Sequence, residues 1–324
     1  MKDLLSPDLS ELLAYVRLAP SVHNTQPWTF STADDTLTLS ASQERTLGPG
    51  DPTGRELWIS LGICIETVLQ AAHGLGFKTE IVSLQTESTT KPVATIKIVP
   101  GDTAVPHILS LIKKRQSYRQ RMKPASLPVS LLDACQQSVS DLKGISVHLL
   151  KDRRAIEKIA ELTDKGMRLA LSSPEFRKEL GELVNHNWSS ARTGMPGYVL
   201  NRGMLGSVWE RWSIVHGQAL NKKASADKQK VLDASGLIFI ATKGDVPKFW
   251  LQAGRAYFRV ALQITNTDFV HSTIAAPVEA ASFHEDIEQL LGTKSRIQAM
   301  IRIGKATKSV SRPTPRLHVD ELLT

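Results

Sequence analysis

Leu18-Ala19-Pro20-Ser21-Val22-His23-Asn24-Thr25-Gln26-Pro27-Trp28-Thr29-Phe30 is the stretch on which the reading of this 324-residue chain turns. Upstream, Leu9, Leu12, Leu13 and Val16 share one face of a helix expected over residues 7–18. Pro20 stops that helix, because the residue before a proline avoids the α region. Downstream, Pro27-Trp28 leads into an extended segment. Between helix and strand the chain leaves backbone N–H groups and the side chains of Ser21 and Asn24 on an exposed turn, a placement suited to hydrogen-bonding a polar heterocycle. The competing reading is structural: a capped turn with Trp28 as a core anchor.

Outward from this turn, residues 28–30 and 36–40 read as strands around Asp34-Asp35. The Gly/Pro-rich loop 48–54 and an apolar helix over 57–77 follow. That helix is long enough to span a bilayer. It reads instead as a buried helix, since Glu66 lies near its middle, where a charge costs about 2.5–3.5 kcal/mol on insertion scales. Residues 93–99 alternate like a strand. Next come helices over 106–114 and 127–139, a strand over 145–150 and a helix over 153–170. Residues 237–241 form a continuous apolar run suited to a central strand, followed by a helix over 249–264 and a strand over 299–303. Strands and helices intermix throughout, which fits an α+β chain. The looser segment 172–230 holds Trp188, Trp209 and Trp212, three of the six tryptophans. It reads either as helices packing aromatic area onto the core or as a lid over a pocket.

Composition narrows the class without naming a function. Hydrophobic residues make up 41% and charged residues 22% of the chain, an ordinary globular balance. Forty Lys and Arg against 32 Asp and Glu give a net charge of +8, which favours anionic ligands. Cys64 and Cys135 are too few for a disulfide framework or a four-cysteine zinc site, so a reducing, cytoplasmic setting is expected. Pro7, Asp8 and Glu11 interrupt the apolar run that a secretory leader needs. The chain has no G-x-x-x-x-G-K-[ST] loop, no strand-linked G-x-G-x-x-G, no H-E-x-x-H and no G-x-S-x-G. No metal site is expected.

A second stretch, residues 112–123, carries six basic residues between Lys113 and Lys123. It reads as a solvated basic loop or as an anion site. A nucleic-acid interface is disfavoured, because neither a binding motif nor paired aromatics accompany the charge. Near the C-terminus, Ala276-Pro277-Val278-Glu279-Ala280 and Pro315-Arg316-Leu317-His318-Val319-Asp320-Glu321 read on their own as a loop after a helix and an edge strand.

The first stretch closely resembles the A-P-S-x-x-N-x-Q-P-W-x-F motif of the nitroreductase family, FMN-dependent oxidoreductases whose flavin lies between two α+β subunits. The resemblance implicates Pro20, Ser21 and Asn24 as flavin contacts, with Val22 as a backbone contact. Residues 115–119 look like the family's R-x-S-x-[RK] element. Arg115 then grips the phosphate with its planar fork, Ser117 assists, and Arg119 approaches the flavin and stabilises its reduced form. By the same resemblance Ala276, Pro277 and Val278 lie against the flavin ring, and Arg316 is a second phosphate ligand.

Usual family members are much shorter, carry the Arg-Ser element first and pair as homodimers. Here the order is reversed and each motif occurs once, which points to an internally duplicated, single-chain pseudo-dimer with a central mixed or antiparallel sheet flanked by helices. Residues 1–104 are then a truncated first unit. Residues 105–324 form a fuller second unit, with 172–230 as the candidate lid. The chain is similar to a longer branch of the family related to mycobacterial Acg, sharing H-N-T-Q-P-W, Asp51-Pro52-Thr53-Gly54-Arg55-Glu56 and a terminal P-T-P-R. The implied activity is an FMN-dependent oxidoreductase moving electrons from NAD(P)H through flavin N5 to a nitroaromatic, a quinone or a similar small acceptor. The alternative is a protein that stores or senses FMN under a closed lid. The expected partner is a small-molecule substrate, with neither a nucleic acid nor a membrane. The chain is expected to be a monomeric pseudo-dimer or a homodimer.

Overall fold

Helix α1 (Pro7–Val16) leads into strands β1 (Trp28–Ala33) and β2 (Thr36–Ala41), helix α2 (Arg55–Leu75) and strands β3 (Phe77–Leu84) and β4 (Ala94–Pro100) in a computed structural model that describes residues 7–101, 103–310 and 312–324. The four strands form one antiparallel sheet in the order β1-β2-β4-β3. Asp34 turns the first hairpin with a φ of 49°, a left-handed conformation that Asp tolerates better than most residues.

The remainder runs α3 (Pro106–Lys114), β5 (Met122–Lys123), α4 (Leu131–Ser138), β6 (Ile145–Leu150), α5 (Arg153–Ser172), α6 (Pro174–Glu182), β7 (Val184–Asn185), β8 (Met195–Pro196), α7 (Met204–Val215) and α8 (Leu220–Leu232). It ends with β9 (Gly236–Thr242), α9 (Pro247–Thr265), β10 (Val270–Thr273), α10 (Ala276–Glu279), α11 (Phe283–Leu291) and β11 (Arg296–Ala306). A second antiparallel sheet has the order β10-β11-β9-β6, with β5 added on β11. Strand β9 is buried along its whole length. Its alternating side chains feed two cores: Ile238 and Ile240 pack toward α2 and α9, while Leu237, Phe239 and Ala241 pack with Ile156, Ile159 and Ala160 of α5.

The chain is α+β, but its strands do not make the single central sheet expected from the sequence. Two sheets share the largest core, because α2 and α9 are apolar around most of their circumference and need cover on more than one side. Of the most apolar window of α2, 83% is buried, so the helix long and apolar enough to cross a membrane is an interior element. It ends at Gly76 (φ 91°), one residue before β3. The two helices touch backbone to backbone. A Cβ on Gly62 would lie 2.0 Å from the Leu251 carbonyl oxygen, and one on Gly254 would lie 2.0 Å from that of Ile59. At this crossing Glu66, fully buried, accepts from Arg255 Nε (2.9 Å), Arg259 Nε (2.6 Å) and Gln70 Nε2 (2.8 Å).

Segment 172–230 forms α6, α7, α8 and the short parallel pair β7–β8. It has a small core of its own, Val184, Met195 and Ile214. Glu179 of α6 fastens it to the glycine-rich loop, each carboxylate oxygen accepting a backbone N–H, from Gly48 and Gly50, at 2.6 Å. Trp188, Trp209 and Trp212 remain about half exposed. They do not supply aromatic area to the main core, the first of the two sequence readings.

Candidate functional site

The turn after α1 departs from ordinary backbone geometry. His23, Asn24 and Gln26 have φ values of 46°, 61° and 51°, a region costing most L-residues about 1–2 kcal/mol each. Local and distant bonds hold it. Ser21 Oγ accepts from the Gln26 N–H (2.8 Å), and Thr25 Oγ1 donates to the Val22 carbonyl (3.0 Å). Asn24 Nδ2 donates to the carbonyls of Gly194 and Pro315, both at 3.0 Å. Gln26 Nε2 donates to Arg192 O (2.8 Å), while its Oε1 accepts from the Leu317 N–H (3.0 Å). The turn thus ties together α1, the loop before β8 and the C-terminal tail.

Arg115 follows the last turn of α3 in extended conformation. The chain beyond it runs beside β10, with a Ser117–His271 bridge and a Tyr118 N–H to His271 O bond of 2.8 Å. In an extended segment residues two apart share a side, so Arg115, Ser117 and Arg119 are presented together. The tail contributes Arg312, Pro313, Thr314 and Arg316. These pieces enclose a cavity of about 170 Å³ whose lining includes Pro20, Ser21, Asn24, Arg115, Ser117, Arg119 and Arg316.

Its electrostatics are one-sided. Among the described residues Lys113, Arg115, Arg119, Arg312 and Arg316 line the cavity and no acid does. Arg115 is 6% exposed; its Nη2 donates to Leu18 O (3.2 Å), while Nε and Nη1 are buried without a partner. Arg316 Nη1 donates to Asn24 Oδ1, and its Nε is also orphaned. Burial lowers the pKa of Arg115 and Arg119, and burial together with Arg115, Arg119 and Arg17 lowers that of Arg316 to about 9. Buried cations of this kind call for an anion. Unpartnered guanidinium N–H groups on two neighbouring arginines, Nε and Nη1 of Arg115 and Nε of Arg316, suit the oxygens of a phosphate, so the donor set fits a phosphate-bearing group.

Behind the cations lie Tyr257 and His271, their rings edge-on with centroids 6.3 Å apart. His271 is 1% exposed with neither ring nitrogen bonded; burial, then Arg115 and Arg302, push its pKa down to about 3. His23 is pushed down to about 4, by burial and then by Arg119. Arg55 Nη2 donates at 2.7 Å to both Glu56 and Glu279, and burial and the neighbouring Glu279 raise Glu56 to about 8. Asp51 caps α2, accepting from the N–H groups of Glu56 (3.1 Å) and Leu57 (2.8 Å). That accounts for the spacing of the Asp51–Glu56 stretch.

Seven of the eleven site residues expected from the sequence therefore meet at one cavity. Val22 does not line it; its N–H donates to Ser60 Oγ (3.2 Å), anchoring the turn to α2. Ala276, Pro277 and Val278 form α10, buried where Gly166 of α5 comes close to the Ala276 carbonyl, and they too are absent from the lining. Asn24 reaches the cavity, but its amide is engaged by backbone carbonyls and by Arg316. The sequence reading missed Lys113, Tyr198 and Arg312 in the lining and Tyr257 and His271 behind it. Tyr198 had a usable signal, since it directly follows Pro196-Gly197, a dipeptide that marks a turn or loop. Tyr257 and His271 are apolar-face positions whose chemistry only the packing reveals.

No family model matches the chain. A Mycobacterium tuberculosis protein named putative NAD(P)H nitroreductase is 24% identical over 313 residues, covering 94% of this chain and 88% of its own. A second, named putative NAD(P)H nitroreductase acg, is 22% identical over 314 residues, with 94% and 91% covered. Among solved structures, the FMN-dependent nitroreductase NfnB from Mycobacterium smegmatis in complex with NADPH is 15% identical, with a TM-score of 0.44 over 66% of this chain and 95% of that one. Along nearly its whole length the chain is thus similar to mycobacterial proteins of these names, as its motifs led us to expect.

Proposed function

We propose that this chain binds FMN in the arginine-lined cavity and acts as an oxidoreductase of nitroreductase type, with NAD(P)H as donor and a nitroaromatic, quinone or similar small molecule as acceptor. The observation that carries the reading is the cluster of buried Arg115 with partly buried Arg119 and Arg316, lined by no acid among the described residues and holding unpartnered N–H groups on Arg115 and Arg316. Arg115 and Arg316 hold the phosphate, and Ser117 adds a hydroxyl. Arg119 supplies positive charge toward the ring, and Pro20 and Ser21 form the wall. When bound, FMN supplies two-electron chemistry at N5 while the protein contributes orientation and electrostatics. The relatives named putative NAD(P)H nitroreductase support the same reading.

Residues 1–104 and 105–324 are read as two unequal units of a pseudo-dimer. The two sheets, one drawn from residues 28–100 and the other from residues 122–306, support that division. A cytoplasmic location goes with free Cys64 and Cys135.

The clamp of Asn24 and Gln26 on residues 192–194, with Tyr198 donating to Pro313 O (3.1 Å), supports the second reading, storage of FMN under a closed cover. Purified protein is expected to be yellow and to release FMN on heating. Bleaching of that colour by NADH or NADPH under anaerobic conditions supports the enzyme; a bound flavin that resists both donors supports storage. Colourless protein that does not take up added FMN refutes both.

A further inference from the structure

Helix α7 carries much of its apolar surface outside. Ser207, Glu210 and Ser213 are buried beside Ile214, whereas Leu205 (85% exposed), Val208 (47%), Trp209 (51%) and Trp212 (49%) face solvent. Positions 205, 208, 209 and 212 follow the i, i+3, i+4, i+7 pattern of one continuous helical stripe. With Met204 and Trp188 they make up six of the twelve large apolar side chains exposed among the described residues, so the exposure is concentrated in one segment. A patch of that kind marks a contact surface.

The charges on this helix say what covers it. Its only acid, Glu210, is turned inward and neutralised by Arg202 Nε (2.8 Å) and Lys223 Nζ (2.6 Å). Arg211 on the helix and Lys222 in the first turn of α8 are exposed, and neither forms an ion pair among the described residues. Stacking on His216, centroids 4.6 Å apart, orients Trp212, and stacking on His186 at 4.5 Å orients Trp188.

We propose that the outer face of α7 docks on the surface of an anionic lipid bilayer. Indoles favour the membrane interface, where the ring is buried and the N–H meets headgroups. An apolar stripe beside exposed cations is the composition of an interfacial helix, and anionic headgroups supply the countercharge that α7 lacks. A second copy of the chain fits less well. A two-fold contact sets a surface against its own image, placing Arg211 near cations with no exposed acid on the helix, between two molecules that each carry a net charge of +8.

This peripheral contact departs from the expectation of no membrane partner, which weighed only a bilayer-spanning helix. It stands apart from the cofactor reading. Because Tyr198 and Val199 of the cavity lining lie just before α7, docking brings that rim of the cavity toward the lipid.

The test is flotation of the intact protein with phosphatidylcholine vesicles prepared with and without phosphatidylglycerol. Binding to the anionic vesicles is expected to be at least about tenfold tighter, and to weaken as salt rises. The Leu205→Asn/Trp209→Ser double variant should lose it. Arg211→Glu should retain the fold, judged by an unchanged melting curve, yet bind anionic vesicles more weakly. Folded wild-type protein that stays unbound with anionic vesicles overturns the proposal. So does light scattering that shows a dimer which the double variant returns to monomer. Flavin content, measured on the same samples, reports separately on the cavity.

Discussion

Replacing Arg115 by Gln should stabilise the protein when the cavity holds no anion and remove its response to one. Among the described residues the side chain of Arg115, which is 6% exposed, makes one hydrogen bond, to the Leu18 carbonyl, and no acid joins it in the cavity lining. Leaving a buried charge uncompensated costs about 3–5 kcal/mol, and the bond to Leu18 returns about 1 kcal/mol. The neutral variant is therefore expected to gain about 2–4 kcal/mol over anion-free wild type. With an unfolding entropy of about 2.1 cal/mol/K per residue, a chain of 324 residues has roughly 0.7 kcal/mol/K, so a gain of about 3 kcal/mol raises Tm by about 4 °C. FMN at about 100 times its Kd should stabilise the wild type by about 2.7 kcal/mol, a similar rise, and leave the variant unmoved. The assay is thermal unfolding followed by circular dichroism in phosphate-free buffer, on protein stripped of cofactor, with and without FMN. A stripped variant that melts below stripped wild type, with FMN raising both equally, would refute the electrostatic account of the site.

Three other outcomes follow from the geometry. Glu66→Ala leaves Arg255 and Arg259 without their shared carboxylate at the α2–α9 crossing and should cost about 3–5 kcal/mol in denaturant unfolding; a loss below about 1 kcal/mol contradicts the role given to that carboxylate. Asn24→Ala removes the bonds to Gly194 and Pro315 and should cost about 2–4 kcal/mol, with faster trypsin cleavage at Arg192 and Arg202; unchanged cleavage rates count against the clamp. His23 and His271, depressed to about 4 and about 3 from an ordinary 6.5, stay neutral in the folded protein while the unfolded chain takes up protons. Their contribution is complete above pH 6.5 and lost on acidification. Glu56, raised to about 8, opposes one of them between its ordinary pKa of 4.5 and 8. These three groups together give a loss of about 1.4 kcal/mol per pH unit from pH 6.5 to 4.5, to which His148 and His284, also depressed by burial, add; His271→Gln should make the slope shallower by about 1.4 kcal/mol per pH unit, and equal pH slopes for variant and wild type would contradict it.

Patterns set by one element alone were legible in the sequence. Strand β9 declares itself because five apolar residues in a row suit a strand covered on both faces, and α9 because its apolar positions recur with helical period. Strand β3 carries no comparable signal: mostly partly buried and exposed residues alternate along it, so its place depends on pairing with β4. The division into two sheets was illegible for a related reason. It follows from α2 and α9 being buried on more than one side, and their closest contact rests on Gly62 and Gly254, whose lack of a side chain leaves no periodic trace. Segment 172–230 read only as loose, because α7 buries Ser207, Glu210 and Ser213 beside Ile214 and leaves Leu205, Val208, Trp209 and Trp212 outside, a placement that spacing does not reveal.

The motif around Asn24 was legible as a motif, but its division of labour was not. Ser21, Asn24 and Gln26 spend much of their hydrogen-bonding capacity on backbone groups of the turn, the Arg192–Gly194 loop and the tail. Their effect is to hold Arg316 beside Arg115 and Arg119 despite mutual repulsion, which is what depresses Arg316 beyond the effect of burial. A site assembled in this way resists closing without an anion, and an anion entering it relieves several unfavourable terms at once. Strained left-handed backbone at His23, Asn24 and Gln26 then belongs to the same device: the turn's distant bonds stabilise a geometry that local preference disfavours, and the positive field it maintains is one that a phosphate bound there would offset.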